Sequence, residues 1–137
     1  MFKSNPFLQD RTAMETLEAV ITTPMVVILM LAIVNLGLLV YGQQAVQAAA
    51  RHGARMGSVA QGGGGAGYAS ASARQAIQDA RLVQNPAVTI LSPGGSAGSL
   101  LSVRVSGEIP NFMAGMLPGL PDPFVVSADA IFRQEGW

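Results

Sequence analysis

Apolar positions follow three different rhythms along this chain. From Ala19 to Tyr41 they are nearly continuous (AVITTPMVVILMLAIVNLGLLVY), broken only by Thr22, Thr23, Pro24, Asn35 and Gly37. No Asp, Glu, Lys or Arg stands between Glu18 and Arg51. A helix needs about 20 such residues, at about 1.5 Å each, to cross the hydrocarbon core of a bilayer. The core helix of a soluble protein fits less well, because it usually keeps a polar stripe and this run has none. Pro24 removes one backbone donor within the run and predicts a kink or a loosened turn.

Beyond Tyr41 the rhythm becomes helical with mixed character, through GQQAVQAAARHGARMGSVA. Ala45, Ala49, Gly53 and Gly57 recur every four residues and form a ridge of very small side chains. Such a ridge lets two helix backbones approach closely. It can serve the chain's own domain or the helix of a neighbouring copy, and the two uses are compatible. Met14 to Val59 is expected as one helix, roughly 65–70 Å long. A small domain cannot cover a rod of that length, so a membrane or an assembly is needed. Gln61 to Gly67 (QGGGGAG) reads as a flexible connector. Tyr68 to Val83 follows as a second helix, with Ala69, Ala73, Ala76, Ile77, Ala80 and Val83 on one side, closed by Asn85-Pro86.

The third rhythm has a period of two. Ala87 to Leu91 is a short apolar strand; Leu101, Val103 and Val105 alternate with Ser102, Arg104 and Ser106. Val126, Ala128, Ala130 and Phe132 alternate with Ser127, Asp129, Ile131 and Arg133 in the same way. The expected fold is therefore α+β: a long N-terminal hydrophobic helix and a small C-terminal domain of one short helix and about three antiparallel strands. The expected organisation is residues 1–13 as an N-terminal segment, 14–60 as the long helix and 61–137 as the small domain. Between the last two strands, Pro110 to Pro123 carries four prolines yet also Phe112, Met113, Met116, Leu117 and Leu120. Loops are normally polar, so this one either tucks into its own domain or meets a partner.

Composition sharpens this picture at a few points. Half of the 137 residues are apolar and 12% are charged, too apolar for a disordered chain. Net charge is zero, which gives no electrostatic reason to expect a nucleic acid partner. The absence of cysteine excludes disulfides and thiol chemistry. His52 is the one histidine, too few for a metal site of the usual kind. The acids are scattered, the serines lack a nucleophile-elbow context, and the glycine run has no following Gly-Lys-Ser/Thr. No enzymatic activity, cofactor or metal is expected. Charge does not decide the topology, because Lys3 and Arg11 on one side balance Arg51 and Arg55 on the other. Glu18 is the uneasy residue: a carboxylate followed at once by Ala-Val-Ile calls for a cation or a donor from another chain.

The series Arg11-Thr12-Ala13, Met14-Glu15-Thr16-Leu17-Glu18 and then a long apolar helix resembles the type IV pilin superfamily. The continuation LAIVNLGLLVYGQQAVQAAARHGARMGSVA is similar to its TadE-like branch, the pilins and pseudopilins of Tad pili. The resemblance implies a leader cut by a prepilin peptidase between Ala13 and Met14, which makes Glu18 the fifth residue of the mature chain. The commonly expected residue before the cut is Gly, and Ala13 departs from it. It further implies a precursor in the cytoplasmic membrane, extraction by a pilus assembly machinery, and a helical homo-oligomeric filament outside the cell for surface attachment. Glu18 then pairs with the new N-terminal amine of an adjacent subunit. The alternatives are a minor TadE-like pseudopilin and a single-pass membrane-anchored binding domain. If the small ridge serves the filament, Ala49→Leu or Gly53→Leu blocks assembly and leaves the C-terminal domain folded.

Overall fold

The computed structural model describes residues 11–60, 63–117 and 119–135. The expected α+β layout is present: helix α1 (Arg11–Ser58), helix α2 (Gly65–Gln78), and strands β1 (Gln84–Pro93), β2 (Leu100–Ile109) and β3 (Phe124–Arg133). The strands form one antiparallel sheet in the order β1-β2-β3. Helix α1 runs unbroken through Pro24. The chain forms two compact units, Met1–Val34 and Asn35–Trp137, and the division falls inside α1 rather than after Ala60. The reason is that the second half of α1 is built into the core of the small domain, so it belongs with the strands.

In the second unit the sheet turns one face inward. Leu101, Val103, Val105 and Ile109 of β2 are wholly buried, and their partners across the ladders include Val88, Ile90, Ala128 and Ala130. This is the period-two pattern of the sequence carried into register, with Arg104, Asp129 and Ile131 on the outer face. Val46, Ala49, Ala50 and Ala54 of α1 and Ala69, Ala73 and Ile77 of α2 complete the core. Helix α2 begins earlier than expected, at Gly65, and ends at Gln78 rather than Val83. Ala80 and Val83 are nevertheless buried, but from the turn and the approach to β1. Gly107 faces Val83 so closely that a Cβ there would collide with its side chain. Strand β1 is longer than Ala87–Leu91, running from Gln84 to Pro93, and its ends are irregular, with register shifts between Gln84 and Ala87 and between Ile90 and Ser92.

The ends of this unit are tied together by Gln134, which is buried. Its Oε1 accepts from the Gly95 amide at 2.7 Å, and its backbone amide donates to the Ser99 carbonyl at 2.8 Å. The Glu135 amide donates to the Ser58 carbonyl at 3.0 Å, satisfying an acceptor at the C-terminus of α1.

Candidate functional site

The residues most unlike those of an ordinary domain lie in the first unit. A dozen large apolar side chains between Met14 and Val34 are exposed. Leu17 (61%), Met25 (67%), Leu29 (61%) and Ile33 (63%) are typical, and they do not fall on a single stripe. Covering one such side chain is worth about 1.5–3 kcal/mol, so covering all of them is worth on the order of 20 kcal/mol. A whole domain's stability is only about 5–15 kcal/mol. The α1 segment Ala13–Ser58 is long and apolar enough to cross a membrane.

Glu18 is exposed beside this surface, and its carboxylate makes no hydrogen bond or ion pair among the described residues. Ala13 and Met14 lie in the first turns of α1, both exposed. Pro24 is exposed within the helix.

The small-residue ridge has a different fate. Ala49 is 1% exposed, and Gly53 and Gly57 are buried within the second unit. A Cβ on Gly53 would stand 2.6 Å from the Ala69 carbonyl oxygen and 2.6 Å from the Ala73 Cβ. One on Gly57 would stand 2.6 Å from the Ala69 Cβ and 2.6 Å from the Gly65 carbonyl oxygen. The ridge is therefore filled by α2 of the same chain, and Ala45 sits at its half-buried margin. This corrects the expectation that Ala49→Leu or Gly53→Leu would spare the domain: both strike its core. Gly42 and Val46 also belong to the buried seam, since a Cβ at Gly42 would collide with the Ile109 side chain and Val46 is fully buried. An i, i+3/i+4 stripe through Gly42, Val46, Ala49, Gly53 and Gly57 carries that signal in the sequence; a strict four-residue ridge starting at Ala45 is slightly off the face.

Polar groups in the second unit are matched in pairs. Asn35, the polar interruption of the apolar run, is buried; its Nδ2 donates to Asn111 Oδ1 at 2.7 Å, and its Oδ1 accepts from the Phe112 amide at 3.2 Å. On the outer face of the sheet, Arg104 Nε and Nη2 each donate to Asp129 at 2.6 Å. The hydrogen bond from Arg104 holds the Asp129 carboxyl below its ordinary range, and the same bond raises Arg104. His52, Arg51 and Arg55 are exposed on α1. Among the described residues no three His, Cys, Asp or Glu side chains converge.

The Pro110–Pro123 loop tucks into its own domain only in part. Asn111 and Met113 tuck inward, while Phe112, Met116, Leu117 and Leu120 remain exposed. The hydrogen bond from Asn35 has no signal in the local sequence, because its partners lie in a loop 76 residues away.

No curated protein and no solved structure matches the chain. Residues 15–55 match the model of the TadE-like protein family. That stretch takes in Glu18, the exposed apolar segment and most of the buried seam, and over it the chain is similar to TadE-like proteins.

Proposed function

We propose that this protein is a structural subunit of a Tad-like type IV pilus. Its precursor is held in the cytoplasmic membrane by the apolar half of α1, and copies then polymerise through that half into an extracellular, surface-attaching filament. The observation that carries this reading is the apolar surface between Met14 and Val34, left exposed by the described residues. Lipid covers such a surface before assembly; once the helix leaves lipid, only other copies of it offer an equally apolar environment. Glu18 supports the same reading. A carboxylate bordering an apolar bundle is stabilised by a cation, and cleavage between Ala13 and Met14 supplies one as the amine of Met14 in a neighbouring subunit. The pair then sets the axial register between copies. The first turn of a helix frays readily, which gives a prepilin peptidase access to the Ala13–Met14 bond. Because the ridge of Ala49, Gly53 and Gly57 is occupied by α2, contact between copies falls to the segment before Asn35 and to the exposed side of α1 beyond it.

Electron microscopy and mass spectrometry of sheared surface material test the reading together. The expected result is fibres built of this polypeptide with Met14 as its first residue, and abundance in the fibre separates a major from a minor subunit. Glu18→Ala is expected to shift the chain from the sheared fraction to the membrane pool. Full yield of fibres from that variant would remove Glu18 from the mechanism. A full-length chain that is a monodisperse monomer in detergent-free buffer would remove the filament.

A further inference from the structure

We infer that the Pro110–Pro123 loop is a second membrane-contacting element, a foot that rests in the headgroup and acyl boundary of the bilayer beside the end of the spanning helix. The inference rests on the membrane-held precursor proposed above and adds a partner for a surface that reading leaves unused.

The first observation is where the loop is fastened. A span of about 20 residues counted from Ala19 ends near Leu38, so Asn35 stands in its last turn. The loop is bound to that residue: Asn35 donates to Asn111 and accepts from the Phe112 amide. The second observation is how the loop treats its backbone. The amides of Met113 (to Asn111 Oδ1, 3.0 Å), Ala114 (to the Asn111 carbonyl, 3.4 Å), Met116 and Leu117 (both to the Met113 carbonyl, 3.0 Å) are all bonded within the loop. Asn111 Nδ2 closes it by donating to the Pro121 carbonyl at 2.7 Å. The prolines at 110, 121 and 123 have no N–H to satisfy.

The third observation is what such a loop shows to the outside. Phe112 (59%), Met116 (51%), Leu117 (42%) and Leu120 (39%) are exposed, and Asp122 is the one charged residue of the segment. A loop surrounded by water keeps its polar groups outward and leaves amides to solvent. From Asn111 to Leu117 every amide but that of Gly115 is bonded, while four large apolar side chains stand outward, which is the inversion that a lipid environment favours. Irregular backbone is not tolerated facing lipid in the hydrocarbon interior; a depth of about 5–10 Å at the boundary, as for interfacial amphipathic segments, is where it fits.

The chain has no cysteine, so single substitutions place a probe cleanly. Met116→Cys, Val27→Cys and Gln75→Cys, each at an exposed position, are labelled with an environment-sensitive fluorophore in the full-length chain. The labelled proteins are reconstituted at about one copy per vesicle into phosphatidylcholine–phosphatidylglycerol vesicles with nitroxide at a shallow or a deep acyl position. The expected result is blue-shifted emission at 116, quenched several-fold more by the shallow nitroxide than by the deep one. Position 27 is quenched most by the deep nitroxide, and position 75 by neither. If 116 behaves like 75 while 27 is quenched, the foot is wrong and the membrane-spanning helix stands. Blue-shifted emission at 116 without quenching means protein covers the loop, and also overturns it. If neither 27 nor 116 is quenched, the spanning helix fails and the foot with it.

Discussion

Asn35 shows how one side chain is made tolerable in an apolar helix. Both ends of its amide are bonded, to Asn111 and to the Phe112 amide, and it is 7% exposed. Removing it leaves buried partners unsatisfied, which costs about 1–3 kcal/mol. Asn35→Ala is expected to lower stability by that amount in denaturant unfolding of the full-length chain in detergent, and to speed hydrogen exchange at the Phe112 amide. The Arg104–Asp129 pair is the opposite case, being exposed on the sheet surface with side chains 49% and 40% accessible. Its bidentate geometry matters more for titration than for stability, because solvent screens exposed pairs. The folded Asp129 carboxyl lies below its ordinary range. What the pair contributes is therefore fully present above the free aspartate value of about 4, and is lost as pH falls through the depressed folded value. Carboxyl-carbon NMR is expected to place the Asp129 midpoint below that of free aspartate, and Arg104→Gln to move it upward.

At the scale of elements, the contact between α1 and α2 is decided by glycine. Gly53 and Gly57 let the α2 backbone come so near that a Cβ would meet carbonyl oxygens at 2.6 Å, and backbone cannot swing aside as a side-chain end can. Gly53→Ala is expected to destabilise the domain by about 1–3 kcal/mol, the usual scale of overpacking, read as an earlier midpoint in denaturant unfolding. Gly37, on the same helix but with nothing within reach of its Cβ, is the control: Gly37→Ala is expected to leave the midpoint unchanged or slightly higher, because alanine is the better helix former. At the edges of the sheet, β1 is interrupted by register shifts and carries Pro86 and Pro93, while β3 has its Ser127 carbonyl taken by Gln43 Nε2 at 3.0 Å. Both devices blunt strand-to-strand addition, which favours α1 as the contact between copies in the proposed filament.

For the whole molecule, the division between Val34 and Asn35 separates a segment whose large apolar side chains are exposed from a unit with its own core. A chain starting at Asn35 keeps every residue of that core and both asparagines of the Asn35–Asn111 bond. Such a chain is expected to fold as a detergent-free monomer by light scattering. The full-length chain is expected to need lipid, detergent or other copies. The alternative outcome, a truncated chain that aggregates, would mean that α1 before Asn35 is required for folding rather than for placement and assembly.

Residue order alone determines a good deal of this molecule. The uncharged run from Ala19 to Val34, the period-two strands around Val103 and Ala128, and the placement of Glu18 at the mouth of the apolar segment are all readable in it, because burial acts on the side chain at its own position. Which surface meets which is a different matter. A ridge of small residues announces close packing but not its partner, and only the three-dimensional arrangement assigns Gly53 and Gly57 to α2. The same holds for Asn35, whose partner lies in a distant loop, and for the end of α2, where helical periodicity through Val83 gives way to the contact between Val83 and Gly107. Hydrophobic pattern is a one-body property of the chain and is written in its sequence; pairing is a two-body property, and it exists only once the chain has folded.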